Sequence, residues 1–245
     1  MRRPLLTVGS LFSGIGGLDL GLERAGMSVA WQSEINPYAC RVLTKHWPDV
    51  PNLGDITKTD WSTVEPVDLI CGGYPCQPFS QFGLRRGDRD PRHLWPLVAD
   101  AISVLRPRFV LLENVAGHLS LGFGQVLGDL AELGFDAEWD CIPASFLGAP
   151  HIRKRVFIVG CNTNRSDGGE VGQLPILGRL QQDANTGRSG SRNWWTTEPD
   201  VGRVADGVPN RMDRLHALGN AVVPQVAEFI GRQLIEQLNR KVVAA

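Results

Sequence analysis

The sequence predicts an α/β fold in which a mostly parallel sheet is covered by helices on both faces. Two observations support this fold. Short apolar runs of strand length alternate with segments of helical periodicity through the first two-thirds of the 245 residues. In addition, a glycine-rich turn joins the first apolar run to the first helical segment. A hydrophobic fraction of 42% is sufficient for a sizeable core and argues against a disordered chain.

Each predicted element follows from its local pattern. Continuous apolar runs predict buried strands, and apolar residues that recur every three to four positions predict helices. The segment 94–105 repeats large apolar residues with this helical spacing, and the helix that starts at 17 meets a natural stop at Gly26. The predicted strands are 5–12, 28–34, 67–73, 108–115 and 155–160, and the helices between them are 17–26, 37–47, 94–105 and 124–133.

Composition divides the chain into three parts. Residues 1–161 form the predicted α/β core. From 162 to 210 the chain is rich in Gly, Ser, Thr, Asn and Arg and has few apolar runs, which predicts a small irregular lobe. Residues 211–245 form the C-terminal segment. Helical periodicity returns there from Val226 to Leu238, and Pro224 is a residue type favoured in the first turn of the predicted terminal helix.

Charge and cysteine content exclude several classes of protein. The formal net charge of −1 argues against a chain that coats nucleic acid with its whole surface, although it permits a local basic groove. No apolar run reaches the ~20 residues of a membrane span, and the first residues lack the apolar core of a signal peptide. The five cysteines include no C-x-x-C pair, so we expect neither disulfides nor a metal site. These features predict a cytoplasmic protein.

The first turn predicts a cofactor site. Gly14, Gly16 and Gly17 lie between the first strand and the first helix, where glycines let the backbone approach a ligand. Glu34 ends the second strand, a place at which a carboxylate typically accepts hydrogen bonds from ribose hydroxyls. Together they indicate an adenosine-containing cofactor, with NAD and S-adenosylmethionine as candidates. A tight strand–helix connection without a ligand is the alternative.

A second loop predicts a nucleophile. Cys76 follows the strand 67–73, at the end where α/β sheets place their ligands. Pro75 and Pro78 stiffen the turn around it, an arrangement that a cysteine used only for packing would not need. A thiol is a strong nucleophile once it is ionised.

Taken in order, five motifs resemble those of the DNA (cytosine-5)-methyltransferases. The resemblance covers about 1–161 and 211–240, and it implies a Rossmann-like, S-adenosylmethionine-dependent methyltransferase fold whose C-terminal segment returns to the catalytic core. The motifs are the glycine turn Phe12-Ser13-Gly14-Ile15-Gly16-Gly17, the Pro-Cys-Gln loop at Cys76, Glu113-Asn114-Val115, His151-Ile152-Arg153-Lys154-Arg155, and Leu218-Gly219-Asn220-Ala221-Val222 before Pro224.

The resemblance implies a role for each motif. Cys76 would add to cytosine C6, Glu113 would act on N3 as a general acid, and Arg153 and Arg155 would assist. Because alternate strand residues point the same way, we expect both arginines on one strand face. The implied product is S-adenosylhomocysteine. The implied cofactor residues are Phe12, Ser13, Gly14, Ile15, Gly16, Gly17, Glu34, Ile35, Asp55, Ile56, Pro75, Leu94, Asn220, Ala221 and Val222.

The expected partner is double-stranded DNA. The glycine-hinged segment 80–92 holds four arginines against two aspartates, which favours a loop that closes over DNA while Gln81 fills the space of a flipped cytosine. The short 162–210 region predicts relaxed sequence specificity, and its tryptophans would either stack on DNA or pin the lobe to the core. The expected DNA contacts are Gln81, Arg85, Arg86, Arg89, Arg92, Trp194 and Trp195.

Other functions remain open at this stage. A branch of the same family methylates tRNA, and a relative that binds DNA without methylating it is a further alternative, although an intact Cys76 argues against it. A nicotinamide oxidoreductase would explain the glycine turn and Glu34 but not Cys76 or Glu113. We expect a monomer, with a cognate restriction endonuclease as a possible partner.

Overall fold

The computed structural model describes residues 5–75, 94–120, 122–165 and 211–243. They form a six-stranded sheet with the order β2-β1-β3-β4-β6-β5. Neighbouring strands from β2 to β4 pair in parallel, whereas β6 pairs antiparallel with both β4 and β5. The strands are β1 Thr7–Leu11, β2 Ser28–Ser33, β3 Leu69–Gly72, β4 Phe109–Val115, β5 Phe135–Pro143 and β6 Lys154–Asn162.

Six α-helices are seen among the described residues. Their bounds are α1 Gly17–Ala25, α2 Pro37–His46, α3 Trp95–Leu105, α4 Phe123–Glu132, α5 Arg211–Asn220 and α6 Pro224–Val243. Local chemistry explains where several of them begin and end. Gly26 ends α1 in the left-handed conformation, and the Asn36 side chain caps α2 by accepting from the backbone N–H groups of Tyr38 and Ala39. No helix of the described ranges is long and apolar enough to cross a membrane.

Both faces of the sheet are buried, as the continuous apolar runs predict. In β4, Phe109 and Leu111 pack into one core, and Val110 and Leu112 pack into a second core on the opposite face. The first core includes apolar residues of α1 and α6, and the second includes those of α3 and α4. The predicted α/β fold with a mostly parallel sheet is therefore confirmed, with β6 as the strand that runs in the opposite direction.

The sequence patterns do not predict two elements, strand β5 and helix α5, and each omission has a physical reason. Strand β5 lies at the edge of the sheet and alternates acidic residues with apolar ones, so its apolar run is broken. Helix α5 has almost no buried face, since Met212, Leu215 and Leu218 are all exposed. A helix that buries nothing carries no apolar periodicity to detect.

The division into core, irregular lobe and C-terminal segment stays a prediction, because 166–210 lie outside the described residues. Within the described part, α6 packs along α1, and the contact is close. A Cβ at Gly21 would lie 2.3 Å from the Pro224 carbonyl oxygen and 2.5 Å from the Ala227 Cβ. The glycine at 21 therefore permits the C-terminal helix to seat on the first helix.

Candidate active site

A cavity of about 630 Å³ lies at the carboxyl ends of the parallel strands. Its size is within the ~300–1,000 Å³ of small-molecule and cofactor sites. The segments that follow β1, β2 and β3 form three of its walls, the end of β4 forms another, and α5 closes the rim. An open α/β sheet is expected to place its ligand at this edge.

Many of the predicted cofactor residues line this cavity, and the rest lie behind it. Phe12, Gly14, Ile15, Glu34, Ile35, Asp55, Ile56, Pro75, Leu94 and Asn220 are in its wall. Ser13, Gly16, Gly17, Ala221 and Val222 are not. Residues of the wall that sequence reasoning missed include Tyr38 on α2 and Asp213, His216 and Ala217 on α5.

The residues behind the wall shape the glycine turn. Gly16 adopts a φ of 80°, and a Cβ there would lie 2.4 Å from the Trp47 ring. A Cβ at Gly17 would lie 2.4 Å from the Val222 carbonyl oxygen. Gly16 is needed because the turn packs against the Trp47 ring, and Gly17 is needed because helix α1 starts against the backbone of the C-terminal segment. The motif at 218–222 and the glycine turn thus meet in space, although they are about 200 residues apart in the sequence.

Glu34 holds the glycine turn in place. One carboxylate oxygen accepts a hydrogen bond from the Gly14 N–H at 2.8 Å, and the other accepts from the Ile35 and Asn36 N–H groups at 2.9 and 2.7 Å. A carboxylate offers about four acceptor positions. The described residues use three of these positions, which leaves the fourth, on the oxygen that faces Gly14, for a ligand hydroxyl.

Asp55 presents a negative charge on the same wall. Its Oδ1 accepts from the backbone N–H and the hydroxyl of Thr57 at 3.0 and 2.8 Å. These hydrogen bonds lower the pKa of the Asp55 carboxyl, so it is ionised at neutral pH. Asp55 also begins a turn, which explains its local conformation without a ligand.

Glu113 and Arg155 form a shielded ion pair at the other end of the cavity. Glu113 Oε1 lies 3.1 Å from Arg155 Nε, and the Glu113 side chain is only 12% exposed. Burial raises the pKa of Glu113 to about 7, although Arg155 and Arg153 both act to lower it. Glu113 is therefore about half protonated near neutral pH. That is the protonation behaviour expected of a general acid.

A glycine makes room for the Glu113 carboxylate. A Cβ at Gly73 would lie 2.9 Å from Glu113 Oε2, closer than an ordinary van der Waals contact. Gly73 follows β3 directly and precedes Tyr74 and Pro75. The segment that leads to Cys76 thus passes beside the carboxylate.

Arg153 lies outside the strand, so the prediction that both arginines share one strand face is wrong. Strand β6 begins at Lys154, and Arg153 has a φ of 31° that turns the chain before the strand starts. Its guanidinium donates to the carbonyl oxygens of Gly219 and Ala221, at 2.8 and 2.6 Å. Arg153 therefore holds the segment that carries Asn220 into the cavity wall.

The sequence-predicted nucleophile and DNA contacts lie outside the described residues. These are Cys76, Gln81, Arg85, Arg86, Arg89, Arg92, Trp194 and Trp195. Among the residues that are described, no group of three or more His, Cys, Asp or Glu side chains could hold a metal ion.

The fold and the site define a class of protein. A parallel sheet whose strand ends gather a glycine turn, an acidic cofactor wall and a buried glutamate is typical of α/β proteins that bind an adenosine cofactor beside a reacting group. The chain belongs to the family of C-5 cytosine-specific DNA methylases, whose sequence model matches residues 6–185.

The relatives agree with this family. Type II methyltransferase M.AquIA of Picosynechococcus sp. is 36% identical in an alignment 175 residues long, which covers 62% of this chain and 70% of that protein. Type II methyltransferase M.NaeI of Lentzea aerocolonigenes is 34% identical in an alignment 213 residues long, which covers 80% of this chain and 51% of that protein. Several other curated relatives are matched over 37–54% of their length, so the chain spans about half of them.

Solved structures show the same fold. The crystal structure of a DNA modification methyltransferase encoded within a prophage (E. coli) has a TM-score of 0.55 and 32% identity. The match covers 64% of this chain and 47% of that one. The α/β architecture is thus shared over the described core.

Proposed function

We propose that the protein is a DNA (cytosine-5-)-methyltransferase that transfers a methyl group from S-adenosylmethionine to C5 of a cytosine in double-stranded DNA. One observation carries this proposal. A single cavity joins the glycine turn and Glu34 at one end to the buried Glu113–Arg155 pair at the other, beside the Tyr74-Pro75 segment that leads to Cys76. Family membership supports the reaction class.

The residues of the cavity fit the cofactor. The free acceptor position of Glu34 would receive a ribose hydroxyl, and the apolar side chains of Phe12, Ile35 and Leu94 would cover the adenosine. Asn220, on the rim, would meet the amino-acid end. The cofactor supplies an electrophilic methyl group when it is bound.

The chain's own residues prepare cytosine to accept that methyl group. Cys76 is the proposed nucleophile. Its thiolate forms a bond to C6, and the electron pair of the C5=C6 double bond becomes available at C5. Glu113 donates a proton or a hydrogen bond to N3, which neutralises the charge that develops on the ring.

Arg155 has a supporting role. Its guanidinium keeps the Glu113 carboxylate in one orientation, and its remaining N–H groups are donors for the base carbonyl. After methyl transfer, a base removes the C5 proton, the double bond re-forms, and the C6–sulfur bond breaks. Cytosine C6 is closed by stacking in a duplex, so the base must flip out, at a cost of a few kcal/mol.

A mechanism-based trap tests this proposal. The purified protein is mixed with S-adenosylmethionine and a duplex that contains 5-fluorocytosine at many sequence contexts. Fluorine at C5 cannot leave as a proton does, so the adduct should accumulate as a covalent complex on a denaturing gel. Cys76→Ala should form none, whereas Cys141→Ala, which removes a free thiol in β5, should behave like the wild type.

Two results would contradict the proposal. Methyl transfer by Cys76→Ala would exclude a covalent mechanism through Cys76. Methyl transfer by the wild type to total tRNA but not to duplex DNA would assign the activity to RNA. One long, unique target in a randomised duplex library would contradict the predicted relaxed specificity.

A further inference from the structure

A buried polar pair lies inside an aromatic cluster next to the active site. The Tyr74 hydroxyl and His118 Nε2 are 2.7 Å apart, and the two residues are 3% and 0% exposed. The Tyr74 ring packs against Trp95 with ring centroids 5.5 Å apart, and the His118 ring meets the Phe123 ring edge-on at 5.6 Å. Burial raises the pKa of Tyr74, so the phenol stays protonated and its hydroxyl is hydrogen-bonded to a buried imidazole.

The pair joins two strands that carry different parts of the site. Tyr74 follows β3 and stands two residues before Cys76 in the sequence. His118 lies in the short helical turn directly after β4, the strand that ends with Glu113-Asn114-Val115. The hydrogen bond therefore connects the approach to the proposed nucleophile with the segment that follows the proposed acid.

A second hydrogen bond holds Tyr74, and it also comes from the β4 side. Asn114 Nδ2 donates to the Tyr74 carbonyl oxygen at 3.3 Å. The backbone of Tyr74 is thus held by Asn114 and its side chain by His118, so its position and its orientation relative to β4 are both determined.

Packing does not account for the two polar groups. The surroundings of the pair are aromatic, and a Phe beside a Leu would fill such a space without burying a hydroxyl or an imidazole nitrogen. A buried polar pair is costly unless both members are satisfied, but when they are it selects one arrangement of its elements. The arrangement selected here is that of the Tyr74-Pro75 segment against the strand of Glu113.

We propose that His118 is a positioning residue, which acts through the Tyr74 hydroxyl to hold the chain entering the Cys76 loop at the distance from Glu113 that methyl transfer requires. This inference rests on the proposed function. His118 is fully buried and does not line the cavity, so its effect on the reaction is indirect, and its bond to the Tyr74 hydroxyl leads toward the site.

The test separates positioning from folding. Tyr74→Phe removes the hydroxyl, and His118→Leu removes its partner. His118→Gln keeps a polar group at about the position of Nε2. As a matched control, Thr7→Val deletes a hydroxyl that bonds to Asp68 at the amino ends of β1 and β3, away from the cavity. For each variant we measure the single-turnover rate of methyl transfer at saturating DNA and cofactor, the cofactor Kd and the Tm.

Positioning predicts a specific pattern. Since misplacement by about 1 Å can cost 10²-fold in rate, we expect Tyr74→Phe and His118→Leu to be about 10-fold slower or more. Their cofactor Kd should stay within about twofold of the wild-type value. His118→Gln should recover at least a third of the wild-type rate. The double variant Tyr74→Phe/His118→Leu should be no slower than the worse single variant, because both changes break one interaction.

Other outcomes overturn the inference. If both single variants keep rates within about twofold of the wild type while their Tm falls, the pair is structural only. If Thr7→Val is slowed as much as His118→Leu, or if the loss of rate is matched by an equal loss of cofactor affinity, the effect is not positioning. Failure of the proposed function is recognised separately, since the wild type would then form no covalent complex with the 5-fluorocytosine duplex.

Discussion

Gly73→Ala provides a quantitative test of how the acid is placed. The added Cβ would lie 2.9 Å from Glu113 Oε2, whereas ordinary contacts begin at 3.4 Å, so the carboxylate must move by about half an ångström. The backbone at 73 has no positive φ to forbid a side chain. Only the tip of a side chain has to shift, so we expect the free energy of unfolding to change by less than about 1 kcal/mol.

The catalytic effect should be much larger than the effect on stability. A 1 Å displacement of a reacting group can reduce the rate about 10²-fold, so half that displacement predicts a loss of about 10-fold in kcat, or about 1.4 kcal/mol in barrier height. The cofactor Kd should be almost unchanged, because Glu34 and the glycine turn are at the other end of the cavity. Single-turnover methyl transfer and a cofactor titration measure the two quantities on the same preparation.

A glycine elsewhere in the chain is the matched control. Gly128 lies in α4, and a Cβ there would meet nothing within 4 Å. Gly128→Ala should keep the wild-type kcat and gain about 0.5–1 kcal/mol of stability, since alanine favours a helix. If Gly73→Ala retained kcat within about twofold, the rate would not depend on the position of the Glu113 carboxylate, and its proposed role as the acid would be contradicted.

Four further results are expected. Glu113 holds its proton below about pH 7 and loses it above, so the ratio of the wild-type rate to that of Glu113→Gln should fall as pH rises through about 7. A pH-independent ratio would exclude Glu113 as the acid. Gly17→Ala forces a Cβ to within 2.4 Å of the Val222 carbonyl, and urea denaturation should show a loss of about 3 kcal/mol; a loss below about 1 kcal/mol would contradict the contact. Arg153→Met frees the 219–221 carbonyls, and calorimetry should give a cofactor Kd about 10-fold weaker with kcat at saturation nearly kept. Burial raises the pKa of Asp19 from 3.8 to about 6, so the folded state binds this proton more tightly and stability is lost as pH rises from about 4 to 6. Asp19→Asn should abolish that part of the pH dependence of the Tm, and an unchanged profile would show that Asp19 does not titrate in this range.

Periodicity was sufficient to predict the buried elements. Strands β1 to β4 and helices α1, α3 and α4 contribute apolar residues to the two cores, so each leaves a continuous or 3.6-residue pattern in the sequence. Strand β5 pairs with β6 alone and buries few of its side chains, and α5 is exposed almost throughout. Neither element buries enough surface to leave such a pattern. The sequence therefore did not predict helix α5, which closes the rim of the cavity, although the motif at its end identified Asn220.

Local sequence determined which chemical groups are present and the conformation of short segments. The glycines at 14, 16 and 17 specify the turn, Glu34 reaches it at the end of the next strand, and the prolines around Cys76 mark a loop suited to a nucleophile. These predictions depend on residues close in the chain or on a strand order that an α/β pattern implies. The same reasoning failed at Arg153, because the start of a strand is set by pairing and not by side-chain alternation.

Only the tertiary structure decided how these groups act on one another. Burial raises the pKa of Glu113, and it is opposed by Arg155, which is 42 positions away in the sequence but 3.1 Å away in space. The bond between Tyr74 and His118 joins the ends of two strands in the same way. Distances of this kind follow from sheet register and packing, and so does the low-dielectric surrounding that sets a pKa. Neither the distances nor the surrounding can be read from the spacing of residues along the chain.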